Sequence, residues 1–247
     1  MSPTIYPDEP DSRLPEPPDN AAPLFAEEDE NWESPFEGRE KTGEPVAYRG
    51  ATSDPVFGYL IAIALSVGLI PLIPANADLR YAVAWMVMAG FGVLAWLLGS
   101  SARIWMETPE NLGWGVVFGL IVGVPFVIVG GQALQETARR LFPNMSAGET
   151  LAFLVFVIPL AETLFFRGVL QEKRGILTVG LLSSLWSALI YFPMLEVNRY
   201  PAVALIIGSA IVLLNILYSY VRERNGLAAA WLCQIVAHLT LLFIPSL

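Results

Sequence analysis

The stretch Phe153–Gly168 reads FLVFVIPLAETLFFRG. With its flanks it is long and apolar enough to cross a bilayer as a helix, yet it carries Glu162 in its interior. An ionisable side chain at mid-membrane costs roughly 2.5–3.5 kcal/mol on insertion scales, so by default it marks a site. The only histidine, His238, lies in a second apolar run, Leu227–Leu242 (LAAAWLCQIVAHLTLL). A carboxylate and an imidazole, each isolated in apolar sequence, are groups from which acid–base chemistry inside a membrane can be built.

Composition bounds the class. Of 247 residues, 55% are hydrophobic and only 15% charged, a balance that belongs to an integral membrane protein. The net charge of −9 is unevenly placed: residues 1–54 hold 14 acidic and 4 basic side chains, and the remainder is close to neutral. This tail (DEPDSRLPEPPDN, then EEDENWE) is too polar and proline-rich to offset its ordering entropy, so disorder is expected. Its aromatics Tyr6, Phe25, Trp32 and Phe36 are candidate anchors on a partner. No cationic start leads into an apolar run, so a cleavable signal peptide is not expected. A basic nucleic-acid footprint is absent. Neither a zinc spacing nor a glycine-rich phosphate loop is seen, the single Cys233 supports no disulfide, and no cofactor is implied.

From Pro55 onward apolar runs recur near 56–74, 80–100, 113–132, 150–167, 177–195, 201–221 and 227–245. Each is close to the length of a spanning helix. The expected fold is therefore all-α: a transmembrane bundle of about seven spans over 55–247, preceded by the tail 1–54. A tail placed inside puts Arg39, Lys41, Arg49, Arg103, Arg167, Lys173, Arg174, Arg222 and Arg224 on the inner side. Arg80, Arg139, Arg140 and Arg199 then face outward. That distribution satisfies the positive-inside rule and predicts a cytoplasmic N-terminus. Ala133–Met145, with Arg139 and Arg140, reads as a short interfacial helix on the outer side.

The run Ala161–Gly168 (AETLFFRG) resembles the first motif of the CAAX-protease and bacteriocin-processing (CPBP) family of intramembrane proteases, Glu-Glu-x-x-x-Arg followed by Gly. Glu162 matches the first Glu and Arg167 the Arg, while Thr163 replaces the second Glu. Ser184–Pro193 (SLWSALIYFP) resembles the second motif, Phe-x-x-x-His, with Ser187 and Tyr191 in the two positions. Leu227–Leu242 resembles the third, His-x-x-x-Asn, with His238 matched and Leu242 in place of Asn. The likeness covers roughly 148–245, in order and with an intervening helix at 201–221. It implies a bacterial plasma-membrane protein that cleaves membrane-proximal peptide bonds. In the family the first Glu and the second-motif His activate water, and the third-motif His and Asn stabilise the oxyanion. Carried over, Glu162 is the candidate general base and His238 a polarising or oxyanion-binding group. Tyr191 would orient water, and Arg167 completes the catalytic set. A phenol is a poor proton acceptor at neutral pH, and Leu242 donates nothing to an oxyanion.

Helix rise places the candidates in one layer. From the inner surface Glu162 lies roughly 15 Å deep, His238 roughly 18 Å and Tyr191 roughly 20 Å. Pro159 removes a backbone donor just before Glu162 and should kink the helix there. Thr163 stands four residues before Arg167, where the family's Glu can pair with the Arg. Arg167 must then find another partner, snorkel, or reach Glu162 across an offset of roughly 140°.

Structural roles are also open to these residues. Glu162 can bond a neighbouring helix, His238 can pair with Gln234 one turn earlier, and Tyr191 can simply pack. Arg167, Lys173 and Arg174 can serve as a positive-inside anchor. Two functions follow: a divergent endopeptidase acting on a membrane-embedded or lipidated peptide, or a proteolytically inactive scaffold or assembly subunit binding membrane protein partners. Membrane lipids are partners in both, and nucleic acid in neither.

Overall fold

A computed structural model describes residues 55–73, 77–97, 107–195 and 201–247. The acidic tail, its aromatics, and Arg103 and Arg199 lie outside the described residues. Seven helices follow in order: α1 (Pro55–Leu72), α2 (Ala77–Leu97), α3 (Pro109–Leu141), α4 (Ala147–Leu170), α5 (Ile176–Tyr191), α6 (Pro201–Asn225) and α7 (Leu227–Ser246). No strand occurs among the described residues. Six of the helices are long and apolar enough to cross a membrane, which makes this an all-α integral membrane protein. The exception is α5, at 16 residues. Its helix stops at Tyr191 and turns over Phe192–Leu195, where Pro193 cannot continue the hydrogen-bond ladder.

α3, Pro109–Leu141, consists of two helical segments that meet at a kink, where Gly130 is non-helical (φ −122°, ψ 18°). The second segment, ending at Leu141, is the short helix expected near Ala133–Met145. Two adjacent glycines, Gly130 and Gly131, are poor helix formers, and the kink falls on them. Thr108 caps the start, accepting from the Asn111 backbone, and Pro109 fills the first turn, where its missing N–H is not needed.

α4 is the central element. Of its spanning window 67% is buried, against 17% for α3 and α6 and 28% for α1 and α2. Large side chains such as Leu72, Ile128, Val129 and Leu205 are exposed on the outer helices, as expected of a surface solvated by lipid. A capping box of Ser146 and Glu149 starts α4. Pro159 does not produce a simple kink. A π-helical turn over Phe153–Val157 precedes it and a second covers Thr163–Leu170. Ile158 N–H bonds Phe153 O in this wider register, so the donor that Pro159 lacks leaves the Leu154 carbonyl without its helical partner.

Two further devices close the bundle. Tyr59 on α1 donates to Leu182 O at 2.9 Å and Tyr81 on α2 to Ile190 O at 3.4 Å, which pins both outer helices to α5. On the other side Gly115, Gly119 and Gly123, four residues apart on α3, lie against α7 at Ala229, Cys233, Val236 and Thr240. A methyl group on Gly119 would stand 2.8 Å from Val236 Cβ and 2.9 Å from Cys233 O. Small residues at this spacing let two membrane helices approach backbone to backbone, where dispersion and weak polar contacts replace the hydrophobic drive of water.

Gly119→Ala is therefore expected to destabilise by about 1–3 kcal/mol through overpacking. Gly113→Ala, on the same helix with nothing within 4 Å of its Cβ position, should be neutral or slightly stabilising. Thermal unfolding in detergent compares the two directly.

Candidate functional site

Glu162 lies inside the bundle, 3% exposed. Trp85 on α2 donates its indole N–H to Oε1 at 3.2 Å, and Gln234 on α7 donates Nε2 to Oε2 at 2.6 Å. Gln234 also accepts from the Thr163 hydroxyl at 3.0 Å, so one amide satisfies both residues of the Glu-Thr pair. The expected Gln234–His238 pairing is thus replaced: Gln234 turns its amide to α4. Each carboxylate oxygen holds a neutral N–H donor from a different helix. Such bonds tie α2, α4 and α7 together where no water competes for them.

Arg167 is fully buried and does not snorkel. In the π turn, bonds close over five residues, so Arg167 comes back towards the inward face that Glu162 occupies, and the 140° offset of a regular helix does not apply. The two charges share one core, yet no salt bridge joins them among the described residues. Arg167 Nη2 donates instead to Asn215 Oδ1 at 2.6 Å and weakly to Ser183 Oγ at 3.4 Å. Its guanidinium lies 5.4 Å from the Tyr218 ring centroid and 5.6 Å from that of Phe166, within cation–π range. Arg222 donates to the Arg167 carbonyl at 3.0 Å.

The contact continues as a ladder between α4 and α6. Gln171, one step below Arg167, donates to Ser219 O at 2.7 Å and to Glu223 at 3.4 Å. Asn215, Ser219 and Glu223 recur at four-residue spacing, so they share one face of α6. Asn215 Nδ2 also reaches Ser187 Oγ at 3.4 Å and Ile211 O at 3.0 Å. Ser187, in the second-motif position, is thereby part of the arginine's surroundings.

Tyr191 and His238 belong to a different neighbourhood. Both line an apolar cavity of about 140 Å³ between α3, α5, α6 and α7, whose walls include Leu141, Leu214 and Leu242. Glu162 is not on that wall. The nearest link is Trp85, whose ring lies 6.2 Å from that of Tyr191 while its N–H holds Glu162. His238 stands one turn beyond Gln234 on α7, about 6 Å along the axis. Its imidazole approaches the Leu154 carbonyl left by Pro159, and its Nδ1 is buried without a hydrogen-bond partner among the described residues. Four candidates thus occupy three adjoining settings: Glu162 with Trp85 and Gln234, Arg167 with Asn215, and Tyr191 with His238.

Trp85, Gln234 and Asn215 carry much of this arrangement and were not singled out as site residues. Asn215 and Gln234 could have been found by the logic applied to Glu162, since each is a lone polar side chain in an apolar run. Trp85 carried no such signal, because indoles are common in membrane helices.

Fold and site together define a polytopic α-helical membrane protein with a buried, charge-bearing polar core. A scan of protein-family models, a search of curated proteins and a search of solved structures each found no match to the chain.

Removing the acceptor of a buried cation leaves that charge unpaired, at a cost of about 3–5 kcal/mol. Asn215→Leu is expected to lose that much stability, whereas the double variant with Arg167→Met should lose far less than the two single losses combined. A double-mutant cycle of unfolding midpoints in detergent measures the coupling; additive losses would mean that the 2.6 Å contact contributes nothing.

Proposed function

We propose that this chain is a proteolytically inactive, CPBP-like membrane subunit that binds and holds membrane-embedded protein partners. The observation that carries this reading is the engagement of both Glu162 oxygens by Trp85 and Gln234. A general base must lie within hydrogen-bond reach of the attacking water. Each oxygen keeps a second lone pair, but the two bonds hold the carboxylate off the wall of the cavity that Tyr191 and His238 line. Tyr191 and Leu242 in place of the family's His and Asn point the same way, since each lost proton-transfer or oxyanion group is worth a factor of about 10²–10⁴ in rate.

The endopeptidase reading keeps one specific support. His238 and Tyr191 share a cavity wall, and His238 is one turn from the amide that binds Glu162. Opening the Trp85–Gln234 clasp would bring the carboxylate towards that cavity.

We also place the chain in a bacterial plasma membrane with its N-terminus in the cytoplasm. Bonds from Gln171 to Glu223 and from Asn225 to Asn111 gather the α4–α5 turn, the α6–α7 turn and the start of α3 at one end of the bundle. Lys173, Arg174, Arg222 and Arg224 cluster there, as the cytoplasmic side requires.

The test is a cleavage assay in lipid nanodiscs with membrane-proximal and lipidated reporter peptides. The wild type is expected to show no turnover beyond that of Glu162→Ala. Tyr191→His with Leu242→Asn, properly folded, should remain inactive as well. Native mass spectrometry from solubilised membranes should find the chain with a membrane protein partner at fixed stoichiometry. Glu162-dependent turnover, or its appearance in the double variant, would favour the endopeptidase.

A further inference from the structure

The clasp around Glu162 contains one fixed donor and one reversible partner. An indole only donates, so the Trp85 bond to Oε1 at 3.2 Å fits that oxygen whether the carboxyl is charged or neutral. Trp186, whose indole also faces the carboxyl, is a donor of the same kind. A proton taken up by Glu162 therefore belongs on Oε2. That oxygen meets Gln234 Nε2 at 2.6 Å, and an amide N–H cannot accept the new O–H.

Gln234 can answer this change by a half-turn of its amide, which exchanges Nε2 for Oε1 and presents a carbonyl to the acid. The amide's other contact is the Thr163 hydroxyl, at 3.0 Å. A backbone N–H there would hold the amide in one orientation, whereas a hydroxyl both donates and accepts. With the amide reversed, Thr163 Oγ1 accepts from Nε2 and gives its own proton to a carbonyl one turn back. Pro159 O and Leu160 O stand there, both meeting the Thr163 backbone N–H, and threonine readily makes that bond in a helix. Glu162, Thr163 and Gln234 are 3%, 2% and 0% exposed, so solvent does not supply a missing partner; in either state the three supply one another.

We infer that Gln234 is a two-position switch: its amide donates to the Glu162 carboxylate, and reverses when Oε2 binds a proton, turning the Thr163 hydroxyl with it. Thr163 opens the π turn Thr163–Leu170, and hydroxyl bonds to the preceding turn bend helices, so the change reaches the backbone that places Arg167. Around the carboxyl stand Arg167 on α4, Tyr191 on α5 and Tyr218 on α6. Tyr81 on α2 is within electrostatic reach of Tyr191, and Cys233 and His238 on α7 of Arg167. α1 presents Tyr59, which is spent on Leu182 O. The switch stands independently of whether the chain cleaves peptides or holds a partner.

Infrared difference spectra of the full-length protein in nanodiscs, with isotope-labelled glutamine, test the assignment over about pH 4–9, from the ordinary carboxyl value to the highest documented for a buried one. A buried carboxylic-acid C=O band is expected to appear as the pH falls, and a labelled amide C=O band should shift with the same midpoint. Glu162→Gln should remove both changes; Glu162→Asp, which displaces the carboxyl band, gives the same assignment if that variant does not fold. Gln234→Met should remove the amide change alone and raise the carboxyl midpoint by about one pH unit, since the lost bond is stronger to a carboxylate than to an acid. Histidine ordinarily titrates near neutrality, so His238→Phe is measured alongside and should leave the two bands titrating together. An amide band that stays still while the carboxyl titrates, or no titrating band assigned to Glu162 anywhere in the range, would overturn the proposal.

Discussion

Gln234 donates to Glu162 at 2.6 Å and accepts from Thr163 at 3.0 Å. The rest of the core is arranged around that clasp. A carboxylate in a bilayer interior has no water to turn to, so its oxygens must be satisfied by other helices. Trp85 supplies one donor and Gln234 the other, which fixes the packing of α2 and α7 against α4. Helix association in lipid lacks the hydrophobic drive that folds soluble domains, and interhelical hydrogen bonds with close small-residue packing take its place. Both are present here, one on each side of α7: Gln234 facing α4, and the Gly115–Gly119–Gly123 stripe of α3 against Ala229 and Cys233.

The same constraint explains the backbone. A fully buried guanidinium needs acceptors, and the π turns of α4 determine where Arg167 finds them. In a regular helix Arg167 would leave the inward face. The wider register turns it towards Asn215 and Tyr218, and the Gln171 contact with Ser219 adds a second rung. Widened turns of this kind often occur at functional sites. Here one of them also strands the Leu154 carbonyl, which the His238 imidazole approaches. The irregular backbone and the ionisable residues are one structural solution.

Much of the fold was legible because apolar run length is a strong signal when the solvent is lipid. The helical bundle and the interior position of Glu162 both follow from it. The break between the third span and the short helix that carries Arg139 and Arg140 was legible as well, since the kink falls at Gly130. Partner identity was less accessible. Glu162 and Arg167 were visible as charges out of place, but what they touch depends on rotation about each helix axis, and π turns alter that rotation in a way no spacing rule anticipates. Gln234 was therefore weighed only as a possible partner of His238, one turn away on the same helix, when its partners lie 71 and 72 residues distant on α4.

The central claim is that Glu162 is a structural hub. The most direct measurement is a double-mutant cycle between Glu162→Met and Gln234→Met, read as unfolding free energy in a fixed detergent. A hub requires a coupling of about 1–2 kcal/mol, the upper range for interhelical hydrogen bonds in membrane proteins. Additive losses, with a coupling near zero, would mean that the carboxylate is free of its clasp and available for chemistry.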